Sequence, residues 1–490
     1  MRHYYLRSAF LSQGWARNVT VSVSDEGFIT DMRIGAADER TLPADVLPAD
    51  VLPADVLATD VERIDGIVVP GMPNAHSHAF QRAMAGNTEY RLSARDSFWT
   101  WRSAMYALAN RIEPDDLQTL ATQLFIEMLK SGYTSVAEFH YLHRSPSGAA
   151  YSGSNPLWEA IGNAASLAGI GLTFLPTLYQ TSDFGGRPLK PEQSRFASDT
   201  QGFLRAVEEL VASERRAQGS RSGPRPRRMG AAFHSLRAVP LATLREAALR
   251  LADIDAGMPV HIHVAEQVLE VKACVRETGR RPIELLLDTG LLTPHWCLVH
   301  ATHATPAELA GLAASSATVC VSISTEANLG DGFFDTSRFF NEGGRLCVGS
   351  DSQSCVSPAE ELRWLEYQQR LRKKRRGVLA AASESHVGTR LWRDAAQHGA
   401  QAIGQPVGSL EVGRRADWLV LDAAHPAMVG AAPATALDHL LFAGGEAAIR
   451  DCMVAGRWVI KDRRHAAESD VGEKFADLMR RLADKPLKPG

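Results

Sequence analysis

The sequence predicts an α/β protein: a (β/α)₈ barrel of the TIM type with a small β-sandwich domain built from both chain termini. From Gly66 onward, eight apolar stretches with strand character alternate with stretches of helical character, which is the pattern of a parallel barrel. Strand character also precedes this region and returns after it. We therefore expect the small β domain at residues 1–69 and 404–490, and the barrel at residues 70–403.

The barrel strands are predicted from short apolar, β-branched runs that are bounded by turn residues. They are Ile67–Val69, Thr134–Phe139, Gly171–Leu178, Met229–Phe233, Pro259–Val264, Cys297–Val299, Thr318–Ile323 and Arg345–Val348.

The clearest helix between these strands begins at Pro114 and stops at Gly132. A proline at the first position, two acidic residues beside the positive end of the helix dipole and an apolar stripe with a period of 3.6 residues are typical of an amphipathic helix. Pro240–Ala256 and Pro306–Ser316 begin in the same way.

Short strands are predicted at both ends of the chain. Residues 3–35 have the character of short strands separated by turns, and apolar and polar side chains alternate in NVTVSVS and again in FITDMRI, as in strands of a half-buried sheet. After a helix at about Arg390–Ile403, strand character returns in Asp417–Leu421, Ala448–Val454 and Arg457–Ile460. A short amphipathic helix is expected at Gly472–Leu482.

A tandem pentapeptide interrupts the first terminal segment. LPADV occurs three times at residues 42–56 and is followed by a degenerate copy that ends at Val61. A period of five residues matches no solenoid repeat, and the proline in each unit disfavours both helix and strand pairing. We interpret residues 42–61 as an exposed loop, and prefer a spacer to a functional element.

Composition excludes several classes of function. The 53 Lys and Arg residues nearly balance the 56 Asp and Glu residues, so no electrostatic footprint for nucleic acid is expected. No segment has about 18 consecutive apolar residues, and the first residues lack the apolar core of a signal peptide. The six cysteines show no C-x-x-C spacing, which favours small buried residues in a reducing compartment. We expect a cytoplasmic enzyme that binds neither nucleic acid nor membrane.

His76 and His78 come directly after the first predicted strand. Residues two apart on an extended segment point the same way, so both imidazoles can reach one ion. An isolated pair of this kind is weak evidence, because many such pairs are surface histidines. We nevertheless expect these two histidines to be the first ligands of a metal site, because of the residues that follow the other strands.

Other strands carry residues of the same chemistry at their carboxyl ends, where the active site of a barrel lies. His263 and Glu266 follow the fifth strand, His300 the sixth and Asp351 the eighth. His261 alternates onto the face of His263 but lies deeper, as a buried layer residue would, and His303 lies beyond His300. Each residue alone could be a hydrogen-bonded core or loop residue; the whole set would require several coincidences.

Imidazole and carboxylate ligands favour one divalent metal ion, zinc in the first place and Fe²⁺ as the alternative. A bridged two-metal site that uses a modified lysine needs that lysine at the end of the fourth strand. The segment MGAAFHSLRAV has none. The sequence therefore predicts a single ion.

Five motifs together resemble the amidohydrolase superfamily along nearly the whole chain. They are PGMPNAHSHAFQRAM, VHIHVAEQ, LVHATH, VGSDS and GSLEVGRRADWLVLD. The resemblance implies that the metal ligands are His76, His78, His263 and Asp351. It further implies that Glu266, His300 and Asp351 are the catalytic residues.

Four further segments are similar to the members of this superfamily that remove ammonia from a formimino amino acid. They are His76–Arg82, the FWTWR segment that ends at Arg102, Glu138–Tyr141 and His234–Arg237. The resemblance implies hydrolytic deimination of N-formimino-L-glutamate to N-formyl-L-glutamate and ammonia, in histidine degradation, by a homodimer. It implies that the substrate is bound by Gln81, Arg102, Tyr141, His234 and Arg237.

The chemistry of this small dianionic substrate agrees with these residues. Two carboxylates in a partly dry pocket require cations of planar, bidentate geometry, which arginine supplies better than lysine. Arg102 and Arg237 are the natural pair. In the expected mechanism Asp351 accepts a proton from the attacking water, His300 orients that water, and Glu266 protonates the imino nitrogen.

Two alternatives remain open at this stage. Another deaminase of the same superfamily, acting on an aromatic base or nucleoside, is supported by the aromatic residues Phe80, Phe98, Trp99 and Trp101. A non-catalytic barrel that serves as a scaffold would be expected to lack ligands, and here none of the expected ligands is missing.

Overall fold

The computed structural model describes residues 1–35, 60–89, 98–219 and 226–484. The expected exposed loop of the pentapeptide repeat lies almost entirely outside these ranges.

The strands of the described ranges are numbered in chain order. They are β1 (Arg2–Leu11), β2 (Gly14–Val23), β3 (Ile29–Ile34), β4 (Val61–Pro70), β5 (Met72–Ser77), β6 (Tyr133–His140), β7 (Gly171–Leu178), β8 (Arg227–Met229), β9 (Ala231–Ser235), β10 (Val260–Val264), β11 (Trp296–His300), β12 (Thr318–Val321), β13 (Arg345–Val348), β14 (Trp418–Leu421), β15 (Ile449–Val454), β16 (Arg457–Lys461) and β17 (Arg464–His465).

The α-helices are numbered in the same way. They are α1 (Phe98–Ala109), α2 (Pro114–Ser131), α3 (Pro156–Ala168), α4 (Thr200–Gly219), α5 (Leu241–Ile254), α6 (Val268–Thr278), α7 (Pro282–Asp288), α8 (Pro306–Ser315), α9 (Ile323–Leu329), α10 (Thr336–Asn341), α11 (Pro358–Lys373), α12 (Val387–Ile403), α13 (Ala436–His439) and α14 (Glu468–Ala483).

The predicted barrel is confirmed. Strands β5, β6, β7, β9, β10, β11, β12 and β13 are neighbours in this order, every pair is parallel, and β8 pairs with β7 beside β9. The ring is closed where Ser77 bridges Asp351 in parallel register, and the Asp351 N–H donates to the His76 carbonyl at 3.0 Å. The carboxyl ends of the first and last barrel strands therefore meet.

The prediction of Ile67–Val69 as the first barrel strand was wrong. These residues lie in β4, which pairs parallel with β1 and antiparallel with β14 and so belongs to the other sheet. The chain passes to the barrel at Gly71, where a Cβ would lie 2.2 Å from the Thr134 side chain. The first barrel strand is β5, in which Asn74, His76 and Ser77 are all fully buried.

The fourth and seventh predicted strands also differ in their bounds. The fourth is interrupted at Gly230 and becomes β8 and β9. A Cβ at Gly230 would meet the Leu175 side chain at 2.5 Å and the Pro259 carbonyl at 2.8 Å, so this close approach requires glycine. The seventh ends at Val321, and α9 begins at Ile323. The early end of β12 brings the first turn of α9 next to the barrel mouth.

Both ends of the chain contribute to the second sheet, whose strand order is β17-β16-β15-β14-β4-β1-β2-β3. It encloses a core of its own, in which the Tyr4 and Trp418 rings meet edge to face at 5.2 Å. The expected association of both chain termini in one β unit beside the barrel is confirmed.

Helix α2 illustrates how local sequence sets the outer ring of the barrel. It begins at Pro114 after a capping box formed by Glu113 and Asp116, and it is terminated by Gly132 with a φ of 110°. This left-handed conformation favours glycine. The helix then leads directly into β6.

Candidate metal centre and active site

Four predicted ligands lie together at the carboxyl end of the barrel. His76, His78, His263 and Asp351 are buried, and one nitrogen or oxygen from each lies within 4.8 Å of the others. His76 Nε2 is 3.0 Å from His263 Nε2 and 3.3 Å from Asp351 Oδ1, and His78 Nε2 is 3.4 Å from the same oxygen. The sequence therefore identified a real spatial cluster.

Two of the three imidazoles in this cluster are oriented by backbone carbonyls. His78 Nδ1 lies 2.8 Å from the Phe139 carbonyl, and His263 Nδ1 lies 2.8 Å from the His234 carbonyl. Each Nδ1–H can donate to its carbonyl, which leaves the Nε2 lone pair directed into the cluster. Burial lowers the pKa of His76 and His263, and lowers the pKa of His78 to about 3. Neutral imidazoles are the form that binds a metal ion.

The donor set fits a divalent ion. Metal–nitrogen bonds of about 2.0–2.1 Å in tetrahedral geometry place neighbouring ligand atoms about 3.3 Å apart. The three closest pairs described above, at 3.0, 3.3 and 3.4 Å, agree with this value. The pKa of Asp351 is lowered, since hydrogen bonding to His76 and the nearby imidazoles outweigh the effect of burial. An ionised carboxylate among neutral imidazoles is a site for zinc or iron.

Asp351 is held beside the first strand by a close approach of the backbone. Asn74 on β5 accepts the Ser350 N–H at 3.1 Å and donates to the Ser350 hydroxyl at 2.7 Å. At Gly349 a Cβ would lie 2.8 Å from both the Cβ and the carbonyl oxygen of His76. Only a residue without a side chain allows β13 to approach β5 this closely.

Ser77, between the two histidines, links the end of β5 to Glu138 and Gln353 by hydrogen bonds. Its hydroxyl donates to Glu138 at 2.8 Å and accepts from Gln353 at 3.0 Å. The second Glu138 oxygen accepts the Ala79 N–H at 2.7 Å. Burial raises the pKa of Glu138 to about 8. This network was not assigned a role from the sequence, although Glu138 lies in a segment that the resemblance had marked.

Glu266 and His300 border the cluster on the side of the cavity. His300 Nε2 lies 3.7 Å from Glu266 Oε1 and 3.8 Å from Asp351 Oδ2. Burial raises the pKa of Glu266 to about 7, against the opposing effects of His300 and Arg237. Burial lowers the pKa of His300, but the carboxylates of Glu266, Glu326 and Asp351 outweigh it and raise the pKa to about 10. Two proton-carrying groups thus face a site next to the metal ligands.

One cavity unites all the predicted site residues except His76. It is lined by His78, Gln81, Phe98, Trp101, Arg102, Met105, Tyr106, Tyr141, Tyr179, Phe196, His234, Arg237, His263, Glu266, His300, Leu329 and Asp351. His76 is fully buried at the cavity floor. The FWTWR segment forms the first turns of α1. Three of its side chains, those of Phe98, Trp101 and Arg102, line the cavity.

The two predicted arginines share one aromatic ring. The guanidinium carbon of Arg102 lies 4.3 Å from the centre of the Trp99 ring, and that of Arg237 lies 5.9 Å from it. Neither arginine forms an ion pair with any residue in the described ranges, and Arg237 is 7% exposed with no hydrogen-bond partner for Nε. Burial and the Arg237 charge both lower the pKa of Arg102. Two desolvated cations in one pocket require an anionic partner.

The other predicted contacts, Gln81, Tyr141 and His234, line the same cavity. Gln81 Nε2 donates to the Tyr141 hydroxyl at 2.9 Å, and the buried Gln81 Oε1 has no partner in the described part of the chain. The Tyr141 and His234 rings meet edge to face at 5.5 Å. His234 Nδ1 lies 3.2 Å from the Ser235 hydroxyl, which leaves Nε2 without a described partner.

Two histidines named in the sequence do not join the site. His261 lies deeper in the barrel, where Nε2 is 2.8 Å from the Ala402 carbonyl, as expected of a buried layer residue. His303 follows the loop after β11, and it lies outside the cavity lining.

Comparison with known proteins agrees with this architecture. Residues 67–459 match the amidohydrolase family. The chain belongs to this family. The formimidoylglutamate deiminase of Pseudomonas aeruginosa is 45% identical over 484 residues, which cover 99% of this chain and 100% of the relative. A 5-methylthioadenosine/S-adenosylhomocysteine deaminase of Haloarcula marismortui is 24% identical, with 86% and 88% of the two chains covered.

Solved structures give the same result for the fold of this amidohydrolase. The crystal structure of an amidohydrolase from Brucella melitensis superimposes with a TM-score of 0.87 and 35% identity, and the match covers 98% of this chain and 99% of that chain. A zinc-bound adenosine deaminase from Xanthomonas campestris has a TM-score of 0.74 and 20% identity, with 98% of each chain covered. Within the described ranges, no helix is long and apolar enough to cross a membrane.

Proposed function

We propose that this amidohydrolase hydrolyses N-formimino-L-glutamate to N-formyl-L-glutamate and ammonia, as a step of histidine degradation. The observation that carries the proposal is the pair of guanidiniums over Trp99. Neither forms an ion pair with a described residue, and Glu266 and Glu270 act on Arg237 only from beyond ion-pair distance. An acyclic dicarboxylate supplies the missing negative charge. The near full-length similarity to a formimidoylglutamate deiminase supports the same substrate.

Two groups of side chains in the cavity, one cationic and one neutral, suit the two ends of this substrate. Arg102 and Arg237 would bind one carboxylate through charge-assisted hydrogen bonds. Gln81, Tyr141 and His234 would bind the other through neutral hydrogen bonds. The formimino carbon would then lie between Glu266, His300 and Asp351, because these residues line the remaining side of the cavity next to the metal ligands.

One divalent ion would be held by His76, His78, His263 and Asp351. We propose zinc, with Fe²⁺ as the alternative, because imidazole and carboxylate ligands suit both ions. When bound, such an ion supplies the Lewis acidity that lowers the pKa of water from 15.7 to about 7.

The protein side chains provide the proton transfers. Asp351 Oδ2 faces the cavity and would accept a proton from the attacking water. His300 Nε2, 3.8 Å from that oxygen, would orient the water and stabilise the charge that develops as the carbon becomes tetrahedral. Glu266, with a pKa raised to about 7, can hold a proton near neutral pH and deliver it to the imino nitrogen. Glu266 would also help to carry a second proton, the one that Asp351 took from the water, so that ammonia leaves and the formyl group remains.

A substrate panel tests the proposal. Ammonia release is measured with N-formimino-L-glutamate, N-formimino-L-aspartate, guanine and adenosine as substrates. We expect the highest kcat/KM with the glutamate derivative. A preference for guanine or adenosine would overturn the assignment and favour a deaminase of aromatic bases, whose rings would stack on Phe98, Trp99 and Trp101. A substoichiometric metal content together with no hydrolase activity would favour a non-catalytic barrel.

We also propose a cytoplasmic homodimer that binds neither nucleic acid nor membrane. All six cysteines are unpaired and five of them are buried, which suits a reducing compartment. The dimeric state is inferred by analogy with the family. Light scattering after size-exclusion chromatography tests it, and a monomeric mass would refute it.

We retain residues 1–69 and 404–490 as the proposed β domain, with the barrel at residues 70–403. Autonomous folding of the excised barrel region would test this division.

A further inference from the structure

The His300 ring has an acidic group on each side. Nε2 faces the cavity, 3.7 Å from Glu266 and 3.8 Å from Asp351. Nδ1 faces away from the cavity and lies 3.3 Å from Glu326 Oε1. His300 and Glu326 are each only 1% exposed. Neither the mechanism above nor the sequence motifs assign a role to Glu326.

Glu326 is fixed in place by the helix in which it lies. It belongs to α9, which begins where β12 ends, and its Oε1 also accepts the Ser322 N–H at 3.2 Å. Its Oε2 has no hydrogen-bond partner in the described part of the chain. Burying a carboxylate that is only half satisfied is unfavourable for stability. Folding stability therefore does not explain why an acid lies here.

The backbone and stacking contacts of His300 do not determine which way its ring faces. The backbone is constrained, because His300 and Ala301 have φ values of 72° and 50°, and the Ala301 N–H donates to the Val264 carbonyl at 3.0 Å. Stacking on His263 at an angle of 18° sets the plane of the ring. A ring flipped by 180° would keep this stacking but would exchange Nδ1 for a carbon. The flip would also replace Nε2 by a carbon, but Nε2 lies farther from its acidic neighbours, at 3.7 Å from Glu266 and 3.8 Å from Asp351. The contact of Nδ1 with Glu326 at 3.3 Å is therefore the shortest one that opposes the flip.

We propose that Glu326 is a positioning residue for His300: it accepts the Nδ1–H and keeps Nε2 directed at the attacking water. The inference rests on the proposed function, because the role of His300 is part of it. Glu326 does not contact the cavity itself, so it acts through His300 alone.

Single variants give the first test. Glu326→Ala should lower kcat about 10–100-fold, as is typical when the partner of a functional histidine is removed, with unchanged KM and metal content. Glu326→Gln keeps an acceptor oxygen and should retain most of kcat. Glu361 provides a matched control, since this buried carboxylate binds the backbone N–H and hydroxyl of Ser324 in the same turn of α9. Glu361→Ala should leave kcat near the wild-type value.

A double-mutant cycle separates positioning from general structural support. In a His300→Ala background, measured at high enzyme concentration, Glu326→Ala should cause no further loss of kcat. Losses that add in the double variant would overturn the proposal, as would wild-type kcat in Glu326→Ala or an equal loss in Glu361→Ala. If Glu326→Ala does not fold, Glu326→Leu fills the same volume and is used in the same cycle.

These experiments use whichever substrate of the panel the wild-type protein turns over. A wrong substrate assignment would therefore appear in the wild-type protein, whereas a wrong role for Glu326 would appear only in the variants.

Discussion

The contact between Gly349 and His76 leads to a prediction about metal affinity. In Gly349→Ala the new Cβ would lie 2.8 Å from both the Cβ and the carbonyl oxygen of His76. Since carbon atoms pack at about 3.5–4.0 Å, the ends of β13 and β5 must separate by roughly 0.7 Å or more. Metal–ligand distances tolerate only about 0.2 Å. His76 and Asp351 lie on opposite sides of this contact, so they can no longer bind one ion with good geometry.

The expected loss is at least about tenfold in metal affinity, which corresponds to about 1.4 kcal/mol, together with about 1–3 kcal/mol of stability from overpacking. Affinity is measured by competition with a chromogenic chelator, and stability by urea unfolding of the metal-free protein. Gly472→Ala is the control, because a Cβ at Gly472 in α14 meets no atom within 4 Å. It should stabilise the protein by about 0.5–1 kcal/mol. Wild-type metal affinity in Gly349→Ala would refute the reasoning.

Three further predictions concern charged groups. Arg237→Met should lower kcat/KM about 10–150-fold in steady-state kinetics, because a hydrogen bond to a charged group is worth about 1.5–3 kcal/mol. Arg228→Met is the control: it loses an ion pair with Asp255 and should keep the wild-type kcat/KM. Glu266→Gln should bind metal normally but lose about 10²–10⁴-fold in kcat, and wild-type ammonia release would exclude its role as the acid. Burial raises the pKa of Glu361 to about 8 from 4.5, so the folded protein binds this proton more tightly than the unfolded chain and loses stability as pH rises through that window. The free energy of unfolding of Glu361→Gln minus that of the wild-type protein should therefore increase between about pH 5 and pH 8.5. Urea titrations that give the same difference at all pH values in this range would contradict the prediction.

The parts of the fold that follow a simple pattern were predictable from the sequence. Gly171–Leu178 and Arg345–Val348 have the predicted bounds, because their apolar runs are bounded by turn residues. The first barrel strand was not recognised, because Met72–Ser77 carries Asn74, His76 and Ser77, polar side chains whose burial depends on partners elsewhere in the chain. A rule based on hydrophobic pattern therefore does not recognise this strand, because its buried side chains are polar residues of the site.

The same distinction applies to the candidate site. His76, His78, His263 and Asp351 could be grouped from the sequence, because each lies at or just beyond the carboxyl end of a strand and all barrel strands end on one face. Glu326 could not, because its contact with His300 depends on the early end of β12 and on the direction of α9. Nothing in the local sequence of either residue reports that geometry.

The bridge between Ser77 and Asp351 has a consequence for the order of events during synthesis. Asn74 and Ser350, which join β5 to the end of β13, are 276 residues apart in sequence. The first barrel strand therefore leaves the ribosome long before β13 has been synthesised. The full ligand set cannot assemble until Asp351 has been translated. We therefore expect the metal ion to bind late in synthesis, after the last barrel strand has been translated. An ion bound there would link the first barrel strand to the end of the last one, so that maturation of the protein would depend on the supply of the ion.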